Sequence, residues 1–299
     1  MKIRPSDPKR HHFVPRSYLE RFTDPSGFLH IYDRGSGQWR RQRPQKVMQR
    51  RNYYRQEWAP AGVDPNILEK SLGEWMEITA KNAIDRLILA PSDLTEQEIG
   101  TFLVYLEFQR LRVPRQAETA KALMRDTILC LAPPDITADV RAGKFQLTMK
   151  KSAHFEYMQM MVGQLHPWFA CMEWEIIEAD KGSAFVTTDS PVSLYNADCP
   201  PPAEAGIALA GTIVLFPLSS RHLLVIRHPE YRGDPRISCL GILPDPTRTD
   251  SLLPITRGAV GNRNMVTRHN WKMVHLADRL VVGESKELLE QCVSWSRKT

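Results

Sequence analysis

The chain has 299 residues, 42% of them hydrophobic and 25% charged, with 16 Gly and 22 Pro dispersed along it, which excludes a disordered or fibrous chain and allows a sizeable buried core. Its formal charge of +6 is unevenly placed: fourteen Lys and Arg against four Asp and Glu in the first 55 residues give +10 there and leave −4 for the remainder. The most apolar uncharged stretch, Gly206–Leu218, is 13 residues long, short of the roughly 20 a membrane helix needs; MKIRPSDPKRHH lacks the apolar run of a signal peptide, so no membrane partner and a cytoplasmic location are expected.

Residues 1–58 read as a basic, β-rich segment. HHFVPRSYLERF begins extended, because the residue before Pro15 is pushed out of the helical region, and a short helical turn follows over Ser17–Phe22. Phe28–Tyr32 lies between the turn signals Asp24-Pro25-Ser26-Gly27 and Gly35-Ser36-Gly37, and the chain resumes at Gln38-Trp39-Arg40, so a hairpin is predicted. Residues 64–170 read as a helical bundle. Leu68, Leu72, Trp75, Thr79, Ala83 and Leu87 recur every three or four positions. Thr95 and Glu98 have capping-box spacing, with Leu94 and Ile99 placed as a hydrophobic staple. Pro114 kinks or breaks the helix bearing Phe102, Leu106 and Arg110, and helices are predicted again over Ala117–Leu131 and about Thr148–Leu165. Residues 172–299 alternate short strands (Trp174–Ile177, Ala184–Thr187, Thr212–Phe216, His222–Ile226) with a closing helix over Glu284–Trp295. The expectation is an α+β fold in one compact domain: a basic hairpin segment, a central helical bundle, and a small mixed sheet with helices. Five Cys, at least 28 residues apart, fit neither a disulfide framework nor a Cys-x-x-Cys zinc site.

KRHHFVPRSYLERF, at residues 9–22, resembles the N-terminal signature of the domain of unknown function 4238 family. The resemblance continues through the hairpin at Phe28–Trp39, Asn52-Tyr53-Tyr54, Ile67-Leu68-Glu69, Arg110-Leu111-Arg112-Val113-Pro114, Thr187-Thr188-Asp189-Ser190-Pro191-Val192, Phe216-Pro217-Leu218-Ser219 and the Asn262/Asn264 segment. Arg16 departs from the Gln often found at that place in the family. The resemblance brings no activity with it, so function has to be argued from the residues.

Adjacent histidines followed by an apolar residue, Val and Pro are also similar to the first hairpin of histidine-metal-finger (HNH-like) nucleases. There one His activates water against a phosphodiester and its neighbour ligates a metal. The pattern is incomplete, since no histidine lies between His30 and His154 and Asn52 alone cannot close it. Further ligands would come from afar, with Glu69 and Asp189 suited to hard-oxygen ligation of Mg²⁺ or Mn²⁺. The alternative is that one histidine packs on the core and the other is solvated. Arg110, on an otherwise apolar helix face, either clamps a phosphate or pairs with a carboxylate such as Glu69 or Glu107. Asp189 before Ser-Pro fits a site or an Asx-turn, and Asn262 and Asn264 fit a ligand contact or a helix cap.

Arg10, Arg16, Arg40, Arg41, Arg43, Arg50 and Arg51, interleaved with Trp39, Tyr53 and Tyr54, would suit a nucleic-acid surface, or a face docked on the acidic remainder of the molecule. Together these readings point to a metal-dependent phosphodiesterase or nuclease, with host defence as one setting. His11, His12 and Arg110 would be its catalytic groups and His12, Glu69 and Asp189 its metal ligands. The rival reading is a non-catalytic nucleic-acid-binding or sensing protein.

Overall fold

The computed structural model describes residues 10–56, 59–60, 62–71, 77–89, 94–148, 152–201, 205–209, 211–227 and 255–296, without the side chains of residues 69, 71 and 296. The fold is α+β. Strand β1 (Arg10–His12) leads into a single helical turn, α1 (Arg16–Leu19), and then to the predicted hairpin, β2 (Leu29–Asp33) and β3 (Gln38–Gln42), followed by β4 (Gln49–Arg51). The helical region comprises α2 (Ile67–Ser71), α3 (Ile78–Leu89), α4 (Glu96–Leu111), α5 (Pro114–Leu131), α6 (Pro134–Arg141), α7 (Ser152–Met161) and α8 (His166–Cys171). Then follow β5 (Glu173–Ala179), β6 (Thr187–Thr188), β7 (Ser193–Tyr195), β8 (Ile213–Pro217), β9 (His222–Arg227), β10 (Ile255–Gly261), α9 (Arg263–Leu276), β11 (Leu280–Gly283) and α10 (Lys286–Ser296).

Among the described residues the expected small sheet is in fact two sheets of five and four strands plus the β1–β4 ribbon. The larger has the order β10-β5-β9-β8-β7 and the smaller β3-β2-β11-β6, so the N-terminal hairpin is finished by strands from the far end of the chain. The near-continuous apolar runs of β8 and β9 follow from burial on both faces. Trp174, Ile176, Val214, Phe216, Leu224 and Ile226 pack with α4 and the N-terminal segment, while Ile177, Leu215, Leu223 and Val225 pack beneath α9 and α10.

The signature string is mostly core. Phe13, Val14, Tyr18, Leu19 and Phe22 are buried. The Tyr18 hydroxyl lies 2.8 Å from both Thr187 Oγ1 and the Pro217 carbonyl, so it stitches the two sheets together.

Local signals explain the helix ends. Thr95 and Glu98 form the reciprocal capping box, and the helix closed by Leu111 is followed by one whose first residue is Pro114, where its missing N–H is harmless. The long helix read over Leu68–Leu87 is described as α2 and α3; Leu72 and Trp75 lie outside the described residues. The strand read over Ala184–Thr187 is cut to Thr187–Thr188, because Asn270 on α9 takes the backbone instead, accepting from Val186 N–H at 3.0 Å and donating to the Ala184 carbonyl at 2.8 Å. No helix among the described residues is long and apolar enough to cross a membrane. Cys130, Cys171, Cys199 and Cys292 are free thiols; Cys239 lies outside the described residues.

Candidate functional site

Strand alternation sends the two histidines of β1 to opposite sides. His11 is fully buried, stacked on Tyr54 at 5.9 Å, and its Nδ1 accepts the Tyr54 backbone N–H at 2.9 Å. A nitrogen that accepts an N–H is unprotonated, so the ring is neutral and serves the fold. His12 is half-buried, and its Nε2 is buried without a hydrogen-bond partner among the described residues. Burial lowers its pKa, opposed by the nearby Glu77 carboxylate and reinforced by the charges of Arg112 and Arg16.

Glu77 closes a polar chain. It accepts from both terminal nitrogens of Arg112 at 3.3 Å; Arg112 Nε donates to Gln109 at 2.9 Å, and Gln109 donates to the Phe13 carbonyl at 3.1 Å. Among the described residues the carboxylate that acts on His12 is Glu77; the side chain of Glu69 lies outside them.

Asp189 is 4% exposed and spends both oxygens on three successive backbone N–H groups: Asp278 at 3.0 Å, Arg279 at 2.8 Å and Leu280 at 2.8 Å. Burial pushes its carboxyl up to about 6 against the pull of those N–H groups. This is an anchor for the loop before β11, and it leaves little lone-pair capacity for an ion. Among the described residues no three His, Cys, Asp or Glu side chains are grouped to hold a metal; the side chain of Glu69, one of the three expected ligands, lies outside those residues.

Arg110 is also turned to the fold. It is buried, donates to the Val192 carbonyl at 3.1 Å, and its pKa is lowered to about 10 by burial and then by Arg115. Glu107, one expected partner, instead accepts the Gly163 and Leu165 N–H groups and faces His166. Asn262 caps α9, accepting the Met265 N–H at 3.0 Å; Asn264 is exposed on the same helix.

The seven arginines of the basic segment divide by what they meet. Arg41 pairs with Asp24 at 2.6 Å and lies with Arg43 over the Phe28 ring; Arg16 pairs with Glu20 at 2.7 Å. Arg10 and Arg51 are both exposed and directly opposed across the β1–β4 ribbon, a like-charge pairing that weakens a sheet unless an anion joins it.

Arg40 and Arg50, joined by Lys46 and Arg279, line a cleft of about 710 Å³ counted to its open mouth. Asp33, buried at the end of β2, holds Arg279 through a two-pronged pair at 2.7–3.0 Å and Arg40 more loosely at 3.5 Å. Lys46 and Arg50 make no carboxylate pair among the described residues. The Arg50 guanidinium lies over Phe13 and Tyr53 at 5.9 and 5.8 Å. Pro114 also lines the cleft and brings the α5 N-terminus, with its partial positive charge, to the same wall.

Backbone strain occurs at the cleft and just beyond β4. Met48, buried and lining the cleft, has φ +52°, and Asn52, just past β4, has φ +53°. Such conformations cost a non-glycine residue about 1–2 kcal/mol, least for Asn. Asn52→Ala is expected to lose about 1 kcal/mol while Asn52→Gly stays near wild type; urea unfolding midpoints check the pair.

Comparison with protein-family models matches residues 10–287 to the family described as "Protein of unknown function (DUF4238)". The chain belongs to that family. No curated protein and no solved structure matches it. The DUF4238 signature string thus contributes core anchors through Phe13, Val14, Tyr18 and Leu19, and one half-buried polar group through His12. Among the described residues nothing supports the nuclease-finger likeness: β1 pairs with β4 and is followed by α1. Sequence reasoning missed Lys46, Glu77, Asp278 and Arg279. Lys46 had a signal, its place in the basic segment; the other three are brought in by long-range packing that no local pattern encodes.

Proposed function

We propose that this protein binds nucleic acid, its cationic cleft and the neighbouring Arg10–Arg51 pair receiving the phosphates. One observation carries the reading: Lys46 and Arg50 line the same cleft as Arg40 with no carboxylate partner among the described residues. All three cations are exposed, so phosphates can reach them from solvent and neutralise them while releasing counterions. Arg41 and Arg43, lying over Phe28, stay outside this site.

The test is binding of fluorescent single-stranded and duplex oligonucleotides across a salt series, with and without EDTA. Lys46→Ala and Arg50→Ala are each expected to weaken binding several-fold and to lower the salt slope by about one, whereas Arg41→Ala changes little. Wild-type protein with no affinity at low salt would end the proposal.

A catalytic extension, phosphodiester cleavage, is favoured by His12, a histidine whose Nε2 has no hydrogen-bond partner among the described residues and whose charged form the Glu77 carboxylate favours. It predicts cleavage by wild type that His12→Ala loses, assayed with Mg²⁺, with Mn²⁺ and with EDTA. Equal turnover in both proteins removes it.

A further inference from the structure

The cleft is not uniformly cationic. Asp278, exposed and at the start of the loop that Asp189 anchors, lines it together with Lys46 and Arg50. Its chain neighbour Arg279 is committed to Asp33, and Asp278 makes no ion pair among the described residues. A free carboxylate repels a plain run of phosphates. It suits a ligand that presents hydroxyl donors beside its phosphate, as when an acidic side chain accepts from ribose hydroxyls.

Two further kinds of group share the space. Gln42 and Gln49 bring neutral amides able both to donate and to accept, the pairing used on base edges. Ile31 and Met48 contribute apolar surface.

Cation, carboxylate, amide and apolar wall in one cleft match the parts of a single nucleotide. We infer that the cleft takes one ribonucleoside phosphate unit, with Lys46 and Arg50 on the phosphate and Asp278 on the sugar hydroxyls. This rests on the reading of the cleft as a phosphate site. Asp189 acts as a positioning residue, because it holds the three N–H groups of the segment that carries Asp278.

The experiment measures competition against a bound fluorescent oligoribonucleotide by AMP, by 2′,3′-dideoxy-AMP and by inorganic phosphate, on wild type, Asp278→Asn and Asp278→Ala. AMP is expected to displace the probe at least tenfold better than the dideoxy nucleotide or phosphate, and both variants should erase that preference while still binding the probe. Displacement by AMP in preference to longer strands assigns the site to a free nucleotide; displacement only by oligoribonucleotides bearing a free 3′ end assigns it to a strand terminus. If Asp278→Ala strengthens all three competitors alike, Asp278 merely repels phosphate and the inference falls. If the oligonucleotide binds but no nucleotide or strand end competes, the inference falls while nucleic-acid binding stands. If the probe itself does not bind, both fall together.

Discussion

Asp189→Ala is expected to destabilise the protein by at least about 3 kcal/mol, since it strands three N–H groups at roughly 1–3 kcal/mol each. Asp189→Asn separates the hydrogen bonds from the charge. The carboxyl sits near 6 in the folded protein against 3.8 in an unperturbed chain. A raised folded value means that its contribution to stability is fully present below pH 3.8 and is lost as pH rises through 6, by up to about 3 kcal/mol. The asparagine keeps one acceptor and has no charge to bury. It is therefore expected to approach wild-type stability at pH 8 and to fall below it at pH 4, while the alanine is poor at both. Urea unfolding at the two pH values reads this directly. Mg²⁺ or Mn²⁺ should leave the differences unchanged; a metal-dependent stabilisation present in wild type and absent from Asp189→Asn would restore the ligand role.

Asp189 also shows where sequence reading stopped. Its place after Thr187-Thr188 placed it correctly at a strand end, and both a turn and a site were consistent with Ser-Pro following. What decides between them is the arrival of residues 278–280, ninety positions on, whose amide dipoles are invisible in composition or period. The hairpin, the capping box and the helix break at Pro114 were legible because each is settled within four or five residues. The division into two sheets was not, because β11 reaches β2 by long-range pairing.

The basic segment was legible as charge but not as a surface. Strand alternation separates Arg40 from Arg41, and only the neighbours show which one matters: Asp24 and Phe28 occupy Arg41, whereas Arg40 looks into the cleft. The acidic body does meet this segment, through Asp85 on Arg21, yet that contact leaves Lys46 and Arg50 uncovered. Net charge of +10 over 55 residues is thus partly internal pairing, and the part without a carboxylate partner among the described residues is smaller, at Lys46 and Arg50 in the cleft and at Arg10 and Arg51 on the β1–β4 ribbon.

Acid should weaken the molecule through a different residue, His269. It is 7% exposed on α9, its Nδ1 has no hydrogen-bond partner among the described residues, and its pKa is lowered to about 3, by burial first and then by the charges of Lys272 and Arg227. A base whose folded pKa lies below its unfolded 6.5 contributes stability that is present above pH 6.5 and lost as pH falls toward 3. The loss reaches about 3 kcal/mol by pH 4.5. His269→Phe removes the titration and the orphaned nitrogen, so it is expected to match wild type near pH 7 and to exceed it by about that amount at pH 4.5; parallel acid losses in both proteins would show that His269 is not the cause. The effect should extend beyond stability. Helix α9 carries Asn270, which holds the backbone of residues 184 and 186, and its C-terminal carbonyls at Leu276 and Ala277 receive Arg115 and Arg34. The chain then passes straight into Asp278 and Arg279 on the cleft wall. Loosening α9 by charging His269 would disorder that wall before the β8–β9 core gives way, so ligand affinity at pH 5 should recover in His269→Phe more than global stability alone requires.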